Sequence, residues 1–252
     1  MISKDEETRG ILLKTTLIDF PGRVACAFFL PGCNLRCPYC YNRELALGIL
    51  PEENSVSTAG LYEHLKKRRN LLSGLVLSGG EALLNPHLPE IIENAKSLGY
   101  KIKLDTNGTL PENLEKIIRG KSTRPDFIAM DIKTSPSKYA EKLAFHGQKK
   151  TEAQKEAEAD FQEKILKSVR LVSEFPPQNR EFRTVLVPTL VEKKDIEEIA
   201  SILPPDATWE FSQFANENCL SPEFNRIAPF SQSQAEALVE ATRNKIPGAS
   251  LR

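Results

Sequence analysis

The sequence predicts an α/β fold built from parallel βαβ units, and three observations predict it. Apolar runs of strand length recur along the 252 residues, helical stretches separate them, and several strands end abruptly in polar, glycine-bearing sequence. Strands alternating with helices argue for parallel βαβ units. Six such units fall short of the eight that close a full barrel. The expected product is an open, three-quarter (β/α)6 barrel with an N-terminal hairpin extension. We read it as a single domain over 1–252, with its core at about 10–214 and a C-terminal helix packed on that core.

Each element has its own justification. Residues 10–22 are strand-like and end in the turn signal Pro21-Gly22, predicting a hairpin. Residues 24–30 form a continuous apolar run, the pattern of a strand buried on both faces. A helix follows over 57–71, with Leu61, Leu65 and Leu72 on one face, then a short strand over 74–77. Pro86 opens a helix over 86–98 and Gly99 ends it, the usual asymmetry of proline before and glycine after. Strands are expected at 101–104, 126–132, 183–187 and 208–211, and helices at 111–118, 136–145, 151–175, 194–203 and 231–245. The helix over 151–175 is rich in Glu and Lys at spacings that suit i,i+4 pairs, so the charged stretch 148–164 reads as a solvated helical face.

Composition removes several function classes. Lys+Arg and Asp+Glu both number 34, and the pI is near 6.9. That balance provides no general basic field to attract nucleic acid or a membrane surface. The run Lys66-Lys67-Arg68-Arg69 closes a helical pattern, where cations suit the helix dipole. Residues 1–6 lack the apolar core of a signal peptide, and no apolar stretch approaches the length of a membrane span. With five cysteines, three of them crowded into one loop, a disulfide framework is not expected, and the chain reads as cytoplasmic.

Those three are Cys33, Cys37 and Cys40, in Cys33-Asn34-Leu35-Arg36-Cys37-Pro38-Tyr39-Cys40, directly after the second apolar run. Thiolates are soft ligands that select zinc, copper(I) or iron–sulfur clusters. A closed structural zinc site needs four protein ligands, and the local run supplies three. Three cysteines on a four-iron cluster would leave one iron open to a substrate. The plainer alternative is a zinc knuckle completed by Cys26, Cys219 or a distant histidine.

The spacing Cys-x3-Cys-x2-Cys, with the aromatic Tyr39 before the last cysteine, resembles the signature of the radical S-adenosylmethionine superfamily. The resemblance implies a [4Fe-4S] cluster on Cys33, Cys37 and Cys40, with S-adenosylmethionine chelating the fourth iron. Gly79-Gly80-Glu81, at the end of the next strand, resembles the family motif for the methionyl amino group; Ala82 stands where the family usually has Pro. Asp105-Thr106-Asn107-Gly108 and Met130-Asp131-Ile132-Lys133 read singly as a turn and a helix cap. Together they resemble the activating enzymes of glycyl radical enzymes. By that resemblance Asp105, Thr106, Met130 and Asp131 are candidates for a monovalent-cation site, and Lys133 for a catalytic contact to cofactor or partner. Tyr39, Gly79, Gly80, Glu81, Asp105, Asn107, Asp131 and Arg183 are the candidate cofactor contacts, although pairing with a strand-end acid is the plainer use of Arg183.

The opening 14–22 with the cysteine loop after it resembles the branch called anaerobic ribonucleoside-triphosphate reductase activating protein, with pyruvate formate-lyase activating enzymes as close cousins. The resemblance runs from about Gly10 to Phe214. It implies a glycyl radical enzyme as protein substrate and flavodoxin or ferredoxin as reductant. Reductive cleavage of S-adenosylmethionine would give a 5′-deoxyadenosyl radical that abstracts hydrogen from a glycine of the partner. One departure is Tyr41-Asn42, where those activases commonly carry His-Asn. A radical S-adenosylmethionine enzyme acting on a small molecule would use the same core, and a non-catalytic iron–sulfur or zinc protein is the alternative outside enzymes. Cys26 reads as a core residue and Cys219 as a free surface thiol. His64, His87 and His146 are assigned no chemistry, and Trp209 reads as core.

Overall fold

The computed structural model describes residues 8–145 and 152–252, without the side chains of 152–157. The expectations for residues 1–6, for His146 and for the first part of the charged stretch 148–164 lie outside the described residues. The described chain forms two compact units.

The first unit carries β1 (Arg9–Thr16), β2 (Ala25–Leu30), α1 (Arg43–Ala46), β3 (Ser55–Ser57), α2 (Thr58–Arg68), β4 (Gly74–Gly79), α3 (Leu88–Ser97) and β5 (Lys101–Thr106), which α4 (Pro111–Arg119) follows. Its strand order is β3-β1-β2-β4-β5. The β1–β2 hairpin is antiparallel, and β2, β4 and β5 run parallel. The expected hairpin turns through Pro21-Gly22, where Gly22 has φ +69°, a left-handed conformation that costs glycine little. The helix expected at 57–71 starts on Ser57, whose hydroxyl accepts the Gly60 N–H at 3.3 Å. It stops at Arg68, and Leu72 is buried outside it. Phe28 and Leu30 are fully buried on β2, contributing about 1.5–3 kcal/mol each. Phe20, Ala25, Ala27, Val76 and Phe127 make a core cluster toward the N-terminal ends of the strands, which leaves the C-terminal ends for polar sequence.

The second unit carries β6 (Phe127–Asp131), α5 (Glu152–Ser173), β7 (Arg180–Leu186), α6 (Lys193–Ile202), β8 (Trp209–Gln213), α7 (Gln232–Glu240) and β9 (Ala249–Leu251). Neighbouring strands in the order β6-β7-β8-β9 are parallel. Trp209 is core, as expected, and its indole N–H donates to Thr184 Oγ1 at 3.0 Å. That hydroxyl donates in turn to the Ile132 carbonyl at 2.7 Å. Among the described residues, no helix is long and apolar enough to cross a membrane.

Two expectations need correction. The helix predicted over 136–145 is a 3-10 turn at Pro136–Lys138 followed by a π-helix at Ala140–Ala144. Here the Phe145 N–H reaches back five residues to the Ala140 carbonyl at 2.8 Å, while Tyr139 turns fully inward. The helix predicted over 231–245 ends at Glu240, and the chain then passes Pro247 into β9, which pairs with β8. The C-terminus is therefore part of the sheet as well as a helix packed on it.

Candidate functional site

The first unit supplies the start of the cysteine loop and what it rests on. Gly32, at φ +90°, donates to the Leu45 carbonyl at 2.8 Å. The Gly80 N–H donates to Leu30 O at 3.0 Å, and the Glu81 N–H to Gly32 O at 2.8 Å. Backbone therefore lies directly on backbone. A Cβ on Gly79, already at φ +126°, would collide with the Leu30 carbonyl oxygen. One on Gly80 would collide with Gly32 O and stand 3.2 Å from Cys33 Cβ. The two glycines are demanded by the chain's own approach to the cysteine loop. Glu81 is buried, and Oε1 accepts the Leu83 N–H at 3.1 Å, capping the short turn Ala82–Leu84. On β5 the Asp105 carboxylate lies 3.8 Å from the Lys103 ammonium, a lysine only 3% exposed that also sits over the Phe127 ring at 5.3 Å.

The second unit carries the rest of the loop. The Arg36 N–H donates to the Leu143 carbonyl of the π-helix at 2.9 Å, Cys40 N–H to Cys37 O at 3.0 Å, and Ser221 N–H to Pro38 O at 2.9 Å. Cys37 is buried, and Cys40 is part-exposed. Tyr39 is 4% exposed and meets Phe214 edge-on at 6.5 Å, and Phe214 meets Phe224 in the same way. The Tyr39 hydroxyl is buried without a hydrogen-bond partner among the described residues. Burial holds its pKa well above the ordinary tyrosine value although Lys133 is near, so it stays a neutral donor.

Turn chemistry shapes the segment after β5. Asn107 Oδ1 accepts from the Thr109 N–H at 2.9 Å and the Thr109 hydroxyl at 2.6 Å. The Gly108 N–H donates to Thr106 Oγ1 at 3.1 Å. The Ser168 hydroxyl fastens the Gly108 carbonyl at 2.7 Å, and Met130 is buried against Gly108.

At the end of β6 the Asp131 carboxylate takes Arg183 Nε at 2.7 Å on one oxygen and Lys133 Nζ at 3.1 Å on the other. Arg183 also reaches Glu181 at 3.7 Å. Burial alone would raise the Asp131 carboxyl, but Arg183 and Lys133 outweigh it and hold the group well below the usual carboxylate range. Burial likewise works against the Lys133 charge, and Asp131 outweighs it, so the ammonium stays protonated far above neutrality. Tyr41 is half-exposed; burial raises its phenol, within the field of Lys133, Asp131, Cys40 and Arg183.

The structure thus gathers Asp131, Lys133 and Arg183 into one ion cluster and turns Thr106 and Asn107 into a tight loop. Sequence reasoning missed three residues. Lys103 announces itself only as a lysine between Ile102 and Leu104, two places before Asp105, Glu181 carries no signal beyond facing Arg183, and Tyr139 belongs to no motif. Cys219 is corrected: it is 1% exposed, because the segment after β8 folds back onto the cysteine loop through Ser221 and Asn225 Oδ1 accepts the Cys219 N–H at 2.9 Å. Cys26 is core as expected, with burial pushing its thiol up to about 12.

The donor chemistry fits an iron–sulfur cluster bound with a polar cofactor. The three loop thiols are free of disulfides and are carried on one short loop. Among the described residues, no three Cys, His, Asp or Glu side chains are gathered closely enough to hold a single metal ion. A cubane asks for a wider arrangement, because its thiolates are spread over separate irons. The orphaned Tyr39 hydroxyl, costing about 1–3 kcal/mol while unmet, is a place for a polar partner brought by a bound molecule.

Three soft thiolate ligands on one loop of a parallel α/β sheet suit a metal-cluster enzyme, and comparison with known proteins specifies the class. The Radical SAM superfamily model matches residues 28–203, and the chain belongs to that superfamily. It is 27% identical over 245 residues to a Methanocaldococcus jannaschii protein provisionally named a glycyl-radical enzyme activating enzyme, covering 96% of this chain and 94% of that one. It is 33% identical over 177 residues to the 7-carboxy-7-deazaguanine synthase of Aquifex aeolicus, covering 69% and 72%. The solved structure of QueE from Escherichia coli aligns over 96% of this chain and 92% of its own, with TM-score 0.52 at 14% identity, which shows a shared fold. The expected α/β class, mostly parallel with an N-terminal antiparallel hairpin, is the one observed.

Proposed function

We propose that this radical SAM enzyme is an activase that installs a glycyl radical on a partner enzyme, with anaerobic ribonucleotide reductase as the first candidate and pyruvate formate-lyase as the second. The observation that carries this reading is the near full-length similarity to the Methanocaldococcus jannaschii protein, joined to the motif of Cys33, Cys37 and Cys40. A [4Fe-4S] cluster with S-adenosylmethionine would supply the reductive cleavage that yields a 5′-deoxyadenosyl radical.

The chain's own residues have separable tasks. Cys33, Cys37 and Cys40 hold the cluster. Gly79 and Gly80 seat the loop, and the Glu81 region and Tyr39 offer polar groups to the cofactor. Asp131 keeps Lys133 charged and in place, so that a fixed cation faces the reacting region, and Arg183 acts mainly through Asp131. A monovalent cation with Asp105, Thr106, Met130 and Asp131 as ligands is proposed from the resemblance alone, and it would share the Asp131 carboxylate with Arg183 and Lys133. Flavodoxin or ferredoxin is the proposed reductant.

The test is anaerobic reconstitution and reduction with S-adenosylmethionine and the glycyl radical enzyme of the same organism. A glycine-centred doublet in the electron paramagnetic resonance spectrum is expected on the partner, and its absence with both partners would reject the reading. The similarity to 7-carboxy-7-deazaguanine synthase favours one second reading, a small-molecule substrate. Substrate-dependent 5′-deoxyadenosine formation without any partner protein would select it.

A further inference from the structure

We infer that Tyr139 is a positioning residue for the Asp131–Lys133 pair, and that the π-helix it opens joins this pair to the cysteine loop. The inference rests on the proposed role of Lys133. Tyr139 is fully buried, so its hydroxyl is not idling in solvent. It accepts the Lys133 backbone N–H at 2.8 Å and is placed to donate to the Asp131 carbonyl at 3.4 Å. A single hydroxyl therefore pins both ends of the three-residue step Asp131-Ile132-Lys133, whose middle residue is held to β7 by the Ile132 N–H donating to the Arg183 carbonyl at 2.8 Å.

That step needs a clamp. Asp131 and Lys133 make an ion pair only two residues apart, at 3.1 Å, which requires both side chains to leave the strand end on the same side. Arg183 fixes Asp131 from the next strand, and among the described residues the Lys133 ammonium is held by Asp131 rather than by β7. The backbone conformation at Lys133 thus decides where its ammonium points. The residues that follow Tyr139 form the π-helix Ala140–Ala144, and its Leu143 carbonyl holds the Arg36 N–H of the cysteine loop at 2.9 Å. π-Helical turns are rare and frequently stand at functional sites. Here the wider turn lets Tyr139 point inward to Lys133 while Leu143 O is presented to Arg36.

The test is Tyr139→Phe, which keeps the ring that fills the core and removes only the hydroxyl. In the apo protein, amide hydrogen exchange at Lys133 is expected to speed up about three- to tenfold, while amides in β7 and α6 hold their rates; the range follows from losing one ordinary hydrogen bond. In the reconstituted enzyme, reductive cleavage of S-adenosylmethionine should fall. Adding Tyr139→Phe to a Lys133→Met background should cause no further fall, because the hydroxyl acts through Lys133. Unchanged exchange at Lys133, or additive losses in the double variant, would overturn the inference. If Lys133→Met alone leaves cleavage intact, the assigned role of Lys133 fails and the positioning role falls with it, and the exchange data still report whether the clamp exists.

Discussion

The two units hold their own candidate residues by opposite means. In the first, Gly79 and Gly80 let one backbone lie against another, and the Leu30–Cys33 stretch is held by sterics and amide hydrogen bonds. In the second, Asp131, Lys133 and Arg183 hold one another by charge at strand ends that remain partly open, with Asp131 31% exposed. Shape-held structure fails when atoms are added. Charge-held structure at a part-exposed position survives substitution as a fold but loses the placement of its groups. Lesions at the glycines of the first unit should therefore register in stability and cluster content, and lesions in the ion cluster of the second in turnover.

The largest effect belongs to the loop thiols. Replacing Cys33, Cys37 or Cys40 singly with Ala should abolish cluster incorporation and 5′-deoxyadenosine formation, checked by iron content and product analysis. Next is Gly80→Ala. Its methyl must push on the Gly32 carbonyl, a backbone atom that has no rotamer to escape into, so a loss of about 1–3 kcal/mol is expected. That lowers the melting temperature by about 2–10 °C and reduces cluster yield. Asp131→Asn should reverse the balance: turnover falls at least tenfold while the melting temperature moves by no more than about 3 °C, since part-exposed ion pairs contribute about 1 kcal/mol or less. Equal thermal losses in the two variants would erase the distinction.

The pH response sharpens it further. The depressed Asp131 carboxyl contributes stability that is present above the ordinary aspartate value of about 3.9 and is lost only as pH falls through its lower folded value. The raised Lys133 contributes stability below the ordinary lysine value of about 10.4 that is lost only as pH rises through its higher folded value. The difference in melting temperature between wild type and Asp131→Asn should therefore stay flat from about pH 5 to pH 9. A slope inside that window would contradict the assigned ion cluster. The smallest effect is Cys219→Ser, a buried thiol outside the proposed cluster set, expected to cost about 1 kcal/mol and to leave iron content unchanged.

What could be read from sequence follows from which interactions are local. The six parallel strands were legible because each is a short apolar run closed by polar or glycine-bearing sequence, and the cysteine loop because its spacing is contained in eight residues. β9 was not legible: Ala-Ser-Leu is strand only because β8 offers an edge to pair with. The π-helix was missed because 136–145 has ordinary helical composition, and its wider turn serves contacts to Asp131, Lys133 and Arg36. Cys219 looked like a surface thiol because nothing near it in sequence shows that Ser221 binds Pro38. Gly79-Gly80 was read from its resemblance to a cofactor motif, and sequence did not show that the chain's own backbone also approaches both glycines closely.

The most direct test of the account is the electron paramagnetic resonance spectrum of the reconstituted, reduced protein before and after S-adenosylmethionine is added. A cluster held by Cys33, Cys37 and Cys40 alone should change its g-values when the cofactor binds, and Cys40→Ala should show no cluster signal with or without the cofactor. A reduced cluster whose spectrum is indifferent to S-adenosylmethionine, or four-cysteine ligation that includes Cys219, would contradict it.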